Sequence, residues 1–302
     1  MKKALILILA AVICGAGLVS CNTDGNADVT TAPVSTSTPD VTTTAASAEK
    51  IEYSVSVRTV GGLAIAGQKV YVYENGNDLI AYGITDANGD VRFKMKKSEN
   101  YALRFDGTGL EGYDTSDVPL ISPHTDVTLN TVLRDASTFT PDDIYTLGSV
   151  VHDFVFTDTD GKEHKISELL ESKNAIILNF WYINCNFCVK EFPHFEAVYG
   201  KYADDVAFIA LDPLASDTEN KIKAFKAEKN LTFPTVRDTS GLCDALRIAG
   251  YPETVVIDRY GVICLRFGTI TEEAQLDKVF KYFAADEYTQ TLFKTLSDVP
   301  IQ

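Results

Sequence analysis

Two cysteines three residues apart, just after a continuous apolar run, constrain the fold of this chain more than any other feature. Cys185 and Cys188 follow the buried-strand pattern of Ala175–Phe180. The residues after them place large apolar side chains at helical spacing, as in Phe192 and Phe195. The pattern therefore predicts a dithiol where a buried strand turns into a helix. Free N–H groups and the positive end of the helix dipole favour an anion there, so the first thiol should ionise readily.

That position indicates redox chemistry, because only a thiolate attacks a disulfide. We predict that Cys185 is the exposed nucleophile and that Cys188, one helical turn further on, resolves the mixed disulfide. A static disulfide and a metal half-site are the alternatives. With only His194 nearby and no second cysteine pair, the spacing is a weak zinc pattern and predicts no metal site, although soft thiolates also suit Cu(I).

The N-terminus has the layout of a signal peptide over residues 1–21. Two lysines precede an uncharged apolar run that is shorter than the roughly 20 residues a bilayer span needs, and the run ends in Leu-Val-Ser before Cys21. This ending resembles the lipobox of bacterial lipoproteins, which implies that Cys21 carries lipid and holds the protein to the membrane. The alternative is an ordinary secretory signal in which Cys21 is incidental. Both predict export.

Export decides how the remaining cysteines are interpreted, since thiols outside the cytoplasm meet an oxidising or separately managed environment. Besides the dithiol, the exported part contains Cys243 and Cys264. They are either a structural disulfide or two buried free thiols, and sequence alone does not give their separation.

Composition divides the rest of the chain. Residues 22–50 are rich in Thr, Ser, Ala and Pro and predict a disordered tether with an average reach of about 30 Å. The formal charge of −15 argues against a nucleic-acid partner, because phosphate neutralisation needs surplus Lys and Arg.

Residues 51–134 consist of short alternating stretches separated by Gly and Asn turns, which predicts an all-β sandwich domain. The segments 61–70 and 85–93 resemble carboxypeptidase-regulatory and collagen-adhesin B-type modules, which implies a spacer or an adhesive surface. Residues 140–286 then alternate strands with helices and predict an α/β domain with a mixed central sheet flanked by helices. Residues 287–302 remain as a C-terminal tail.

Three motifs in this second domain carry a specific family resemblance. They are Asn-Phe-Trp181 followed by the dithiol and Glu-Phe-Pro193, the upstream segment 153–169, and Gly-Tyr-Pro-Glu-Thr at 250–254. Together they resemble thioredoxin-like thiol reductases of the membrane-anchored cytochrome-maturation and sporulation type over roughly residues 148–284. The resemblance implies a thioredoxin-like domain, with Trp181 in the active site and a cis peptide before Pro252 opposite the dithiol.

The same resemblance assigns further roles. It implies that the backbone of Tyr251 binds the substrate chain, with Asn186 and Phe187 beside it, and that Glu191 exchanges a proton with the buried thiol. An exposed surface glutamate is the alternative for Glu191. The chain departs from the family in its Asn-Phe dipeptide, in Asn184, and in Glu253, whose negative charge would oppose thiolate formation.

These observations predict an extracytoplasmic, lipid-anchored thiol–disulfide oxidoreductase that needs no cofactor beyond the couple of Cys185 and Cys188. Its partners would be exported client proteins with disulfides and a membrane electron-transfer protein. The alternatives are a surface binding lipoprotein that works through its β domain and a copper-handling protein. Sequence does not reveal the direction of electron flow.

Overall fold

The structure is a computed structural model that describes residues 49–285 and 288–300. The predicted signal peptide, the predicted lipidation site at Cys21 and nearly all of the predicted tether lie outside the described residues. Within the described ranges, no helix is long and apolar enough to cross a membrane.

The first region after the tether is built of seven strands in two sheets. One sheet has the order β4-β1-β7 and the other the order β3-β2-β5-β6. The strands are β1 (Lys50–Thr59), β2 (Lys69–Glu74), β3 (Asp78–Ile84), β4 (Asp90–Lys96), β5 (Tyr101–Phe105), β6 (Val118–Pro119) and β7 (His124–Leu129).

Period-two alternation produces this region, which we call the β-rich region. Alternate side chains of β1, such as Val55 and Val57, are fully buried and share one core with Val72 of β2 and Leu103 of β5. The alternating stretches near 53–57, 70–73, 91–95 and 101–105 form β1, β2, β4 and β5, whereas β3, β6 and β7 were not predicted. The all-β character is confirmed, and the resemblance to adhesive modules stays a prediction.

The second region is an α/β domain around a five-stranded mixed sheet of order β14-β13-β12-β15-β16. β12 is parallel to β13 and antiparallel to β15. The elements are β8 (Arg134–Asp135), β9 (His152–Asp153), β10 (Val155–Thr157), β11 (Glu163–Lys165), α1 (Ile166–Ser172), β12 (Ala175–Phe180), α2 (Asn186–Tyr202), β13 (Val206–Asp212), α3 (Glu219–Lys229), β14 (Thr235–Arg237), α4 (Leu242–Ala245), β15 (Glu253–Asp258), β16 (Ile263–Phe267) and α5 (Glu273–Ala284), with 3-10 turns at Ala136–Thr138 and Leu296–Asp298.

Both faces of this sheet are covered, as the apolar run of β12 predicts. One face packs against α2 and α5, with Phe192, Phe208 and Phe280 in its core. The other face packs against α1 and α4, with Ile176 and Ile209 in its core. The predicted thioredoxin-like arrangement of a mixed sheet between helices is confirmed.

The C-terminal segment 288–300 packs against both regions. The Gln290 amide N–H donates to the Gly61 carbonyl at 3.0 Å, and its side chain donates to Asp258 Oδ2 at 2.9 Å while accepting from the Thr59 hydroxyl. Phe293 is buried in the α/β core. The segment predicted as a tail therefore ties the β-rich region to the α/β domain.

Candidate active site

The dithiol lies at the start of α2, as the sequence predicts. Cys185 and Cys188 form a disulfide with a Cα–Cα distance of 5.3 Å. Cys185 is the N-cap residue of the helix, and the Cys188 amide N–H donates to its sulfur at 3.1 Å. The unpaired N–H groups that favour a thiolate are thus directed at the first cysteine of the pair.

The predicted exposure of Cys185 is wrong for this oxidised state. Cys185 is 4% exposed and Cys188 is fully buried. The Cys185 sulfur is bonded to the buried sulfur and turned into the first turn of the helix, which removes it from solvent. Its neighbours Asn186 and Phe187 are exposed, Phe187 to 61%. Cys185 is still the only cysteine of the pair with any accessible surface.

Glu191 is one turn beyond Cys188 and completely buried, so it is not the solvated surface residue of the alternative reading. Its Oε1 accepts from Asn179 Nδ2 at 2.9 Å and its Oε2 from the Ile270 amide at 3.1 Å. Burial raises the pKa of Glu191 to about 7, although both hydrogen bonds act in the opposite direction. A carboxyl with this pKa can gain or lose a proton near neutral pH.

Asn179 is a site residue that the sequence analysis missed. It is fully buried on β12, and its Nδ2 donates both to Glu191 and to Thr254 Oγ1, the latter at 3.0 Å. Its Oδ1 has no hydrogen-bond partner among the described residues. A polar residue inside an otherwise apolar buried strand was the available signal, because such a residue needs a specific partner.

Trp181 follows β12 and is fully buried beneath the dithiol helix. Its ring packs edge-on against Phe192 at 4.9 Å between centroids and lies 5.1 Å from Phe225. These contacts join α2 and α3 below the dithiol. The indole Nε1 has no partner within the described part of the chain.

The peptide bond between Tyr251 and Pro252 is cis, as the resemblance implies. The Tyr251 ring meets that of Tyr182, in the loop before the dithiol, edge-on at 5.4 Å. The Tyr251 hydroxyl lies 3.2 Å from Cys243 Sγ. Because Tyr182 lies just before the dithiol, this contact joins the segment around Pro252 to the loop that leads to Cys185.

Glu253 does not oppose the thiolate as a lone charge. Its Oε1 accepts from Arg266 Nε at 2.7 Å and also contacts Nη2 of the same guanidinium. Both side chains are largely buried, at 20% and 24% exposed. The departure from the family pattern is therefore compensated by a cation on the neighbouring strand β16.

The structure corrects the suggested disulfide between Cys243 and Cys264. Both are buried free thiols. Cys243 belongs to the core on one face of the sheet and Cys264 to the core on the other face. The sheet separates them, so the alternative of two small hydrophobes describes them correctly. No group of three or more His, Cys, Asp or Glu placed to hold a metal occurs within the described ranges.

Comparison with known proteins gives the same picture. The AhpC/TSA family model matches residues 147–266. The thioredoxin-like protein YneN of Bacillus subtilis is 30% identical over 134 residues, which are 44% of this chain and 78% of YneN. The thiol-disulfide oxidoreductase ResA of Halalkalibacterium halodurans is 33% identical over 129 residues, 42% of this chain and 71% of ResA.

Among solved structures, StoA from Bacillus subtilis is 26% identical and matches 41% of this chain and 93% of its own, with a TM-score of 0.37. This chain covers more than two thirds of YneN and of this ResA, and it is at least 30% identical to each over the matched residues. The chain belongs to the thioredoxin-like thiol–disulfide oxidoreductases.

Proposed function

We propose that this protein works outside the cytoplasm, where it reduces disulfides in exported client proteins through Cys185 and Cys188. The observation that carries the proposal is the disulfide at the N-terminus of α2, with a buried carboxyl of pKa about 7 one turn further on. Residues of these types, in this order, supply a nucleophile, a resolving thiol and a proton acceptor.

The first step uses the reduced enzyme. The Cys185 thiolate attacks one sulfur of the client disulfide, forms a mixed disulfide and releases the other client sulfur as a thiolate that takes a proton. The Cys188 amide, which donates to the Cys185 sulfur, stabilises the thiolate before attack. Cys185 is assigned this role because Cys188 has no accessible surface.

The second step releases the client. The Cys188 thiol gives its proton to the Glu191 carboxylate and attacks Cys185 Sγ, which breaks the mixed disulfide and frees the second client thiolate. Two electrons have then passed to the client, and the enzyme holds its internal disulfide. Glu191 suits this role because its pKa of about 7 leaves a large carboxylate fraction at neutral pH.

Client binding is assigned to the surface around the dithiol. The backbone of Tyr251 would pair with an extended client segment like an added strand. Phe187 and Asn186, exposed between the cysteines, would contact its side chains. Trp181 supports this surface from below through its packing on Phe192.

The N-terminal sequence supports the proposed location, and the oxidised product of each turnover implies a source of electrons. The signal-peptide pattern and the lipobox-like ending before Cys21 support export and lipid anchoring, and the tether would hold the enzyme away from the membrane surface. Each turnover leaves the enzyme oxidised, so a membrane electron-transfer partner with its own dithiol must restore Cys185 and Cys188.

Insulin-disulfide reduction tests the proposal. The wild-type protein should reduce insulin in the presence of a dithiol donor, and Cys185→Ser should lose this activity. Cys188→Ser should instead accumulate a mixed disulfide with the client, detectable by mass spectrometry. Unchanged turnover in Cys185→Ser would overturn the proposal and favour a binding lipoprotein. A reduction potential near that of thioredoxin supports reduction of clients, and one near the strong periplasmic oxidants supports their oxidation.

A further inference from the structure

Besides Glu191, a pair of buried carboxyl groups, Asp212 and Asp217, lies next to the loop that leads into the dithiol. Asp212 is the last residue of β13 and is fully buried, and Asp217, in the turn before α3, is 4% exposed. The Trp181 amide donates to the carbonyl of Leu211, so the start of this loop runs beside the end of β13. Neither aspartate has a role in the steps described above.

The hydrogen bonds of Asp212 leave one of its oxygens unsatisfied. Oδ1 accepts from the Leu214 amide at 2.9 Å. Oδ2 is buried and has no hydrogen-bond donor among the described residues. The carboxyl that acts most strongly on this side chain is that of Asp217, which raises its pKa. Two carboxylates cannot satisfy each other unless one of them carries a proton.

Asp217 connects the pair to the dithiol. Its Oδ2 accepts from the Ile183 amide at 3.0 Å, two residues before Cys185. Its Oδ1 accepts from the Ser216 hydroxyl at 3.3 Å. The only other backbone hydrogen bond within the loop, among those described, runs from the Cys185 amide to the Tyr182 carbonyl at 3.1 Å. The contact between Asp217 and Ile183 therefore helps to fix the position of the loop, together with the hydrogen bond of the Trp181 amide to Leu211.

The charged and titratable groups that face Asp212 come from three elements. Asp217 faces it from the turn before α3, Arg237 from β14, and Tyr251 from the segment that precedes β15. Burial and the charge of Asp217 together raise the pKa of Asp212 to about 7, whereas the hydrogen bond from Leu214 and the charge of Arg237 act in the opposite direction. The Asp212 carboxyl can therefore gain or lose a proton near neutral pH, and it lies between the loop before Cys185 and the residue before Pro252.

We propose that Asp212 and Asp217 share one proton and that this proton holds the loop before Cys185 in place, which makes Asp212 a positioning residue for thiol–disulfide exchange. With the proton present, Asp212 donates to Asp217, and Asp217 accepts from Ile183. Loss of the proton sets two like charges against each other beside the loop and disfavours the Cys185 thiolate. The inference rests on the proposed function, because a positioning role for Asp212 requires that Cys185 carries out thiol–disulfide exchange.

Asp212→Asn tests the proposal, because its amide can donate to Asp217 at every pH. In the oxidised wild type, carbon-13 NMR should show an aspartate carboxyl that titrates near pH 7, and the variant should lack it. In the reduced protein, the rate of Cys185 alkylation by iodoacetamide should be equal in variant and wild type at pH 6. Between pH 7 and 8 the variant should react faster, because its Cys185 pKa, fitted from the alkylation rates at several pH values, should be about half a unit below that of the wild type.

Asp244→Asn is the matched control, since Asp244 is an exposed carboxylate near Tyr251. Its alkylation rate relative to wild type should not change with pH. A constant ratio for Asp212→Asn as well, or a wild type in which every aspartate titrates below about pH 5, would overturn the proposal.

If Asp212→Asn does not fold, Asp217→Asn tests the same proton, because its amide oxygen still accepts from Ile183. It should move the Asp212 titration to lower pH, because the negative charge of Asp217 is lost, and an unchanged titration would contradict the shared proton. The NMR titration uses the oxidised protein and the alkylation assay uses a small reagent, so neither measurement depends on a client protein. Insulin reduction on the same preparations tests the reductase role separately, so failure of one claim can be told from failure of the other.

Discussion

The β-rich region and the dithiol end of the α/β domain differ in whether their buried polar atoms have hydrogen-bond partners. Within residues 49–129, all of which are described, no buried side-chain nitrogen or oxygen lacks a hydrogen-bond partner. The Thr85 hydroxyl, for example, donates to the Ile65 carbonyl at 2.6 Å and accepts from the Gln68 amide at 2.9 Å. At the dithiol end, three buried atoms are unpartnered within the described residues, on Asn179, Trp181 and Asp212.

This difference indicates where function lies. Buried polar atoms without partners and carboxyls with raised pKa values are costly, and folded proteins retain them mainly at working sites. Two of the buried carboxyls with raised pKa values, Glu191 and Asp212, and three of the unpartnered buried atoms lie at the end of the sheet that holds the cysteines. The β-rich region has the locally consistent pattern of a structural module. The predictions below test this division.

The largest effect is expected from the truncation of a core side chain in the β-rich region. Leu103→Ala removes a fully buried side chain and should lower the free energy of unfolding by about 3 kcal/mol. The folded variant should keep wild-type insulin reduction at low temperature, because Leu103 contacts nothing at the dithiol end. Chemical denaturation and activity on one preparation provide the check. A loss of turnover in the folded protein would break the division between the regions.

Glu191→Gln should have the next largest effect, since it removes the proton acceptor of the resolving step while keeping the side-chain shape. Turnover at pH 7 should fall about 100-fold, within the range typical of general-base removal. The mixed disulfide with the client should persist longer than in wild type, as seen by rapid quench and gel analysis. Wild-type decay of that intermediate would remove Glu191 from the mechanism.

The same variant makes a stability prediction with a definite sign. Burial raises the pKa of Glu191 from 4.5 to about 7, so the folded state holds this proton more tightly than the unfolded state. The resulting stabilisation is complete below pH 4.5 and is lost as pH rises through 7. Glu191→Gln should decline less in stability than wild type between pH 5 and 8. The decline that remains in the variant is assigned to Asp212 and Asp258, two further buried carboxyls with raised pKa values.

Much of this site was predictable from sequence, but contacts between residues distant in sequence were not. The apolar run of β12 and the helical spacing of α2 predicted the position of the dithiol, and the family resemblance implied the cis peptide before Pro252 and pointed to Glu191. Those signals are local. Which buried polar groups face one another is set by strand register and by packing between elements distant in sequence, so Asn179 and Asp212 were missed.

The errors have the same origin. Cys243 and Cys264 both lie in the α/β domain, but the sheet face on which each is buried depends on tertiary packing, which sequence spacing does not show. Residues 288–300 lack a strong periodic pattern, and their role appears only through the contacts of Gln290 with Thr59 and Asp258. The exposure of Cys185 was misjudged because the disulfide itself draws its sulfur inward.

Asn179→Ala should produce a smaller effect than Glu191→Gln. It removes the donor to Glu191 Oε1, a hydrogen bond that lowers the carboxyl pKa, so the pKa of Glu191 should rise further. The pH at which turnover reaches half its maximum should move upward by about half a unit to one unit. A pH–rate profile measures this shift, with Thr254→Val, which loses only the other contact of Asn179, as the control.

The smallest effect is expected at the ion pair beside Pro252. Arg266→Met leaves the Glu253 carboxylate without its cation and should reduce the thiolate fraction of Cys185 by about threefold at pH 7. The double variant with Glu253→Gln should restore it. Alkylation rates on the four proteins of this cycle give the coupling between the two residues. No recovery in the double variant would show that Arg266 acts by packing alone.

The central claim is that the backbone at the start of α2 makes the Cys185 thiol easy to deprotonate. The most direct measurement is the pH dependence of iodoacetamide alkylation in the fully reduced protein, with the modified residue identified by mass spectrometry. The account predicts preferential modification of Cys185, with a thiol pKa clearly below the value of about 8.5 for free cysteine. A Cys185 that reacts at neutral pH no faster than free cysteine, or that is protected from alkylation once reduced, would contradict it.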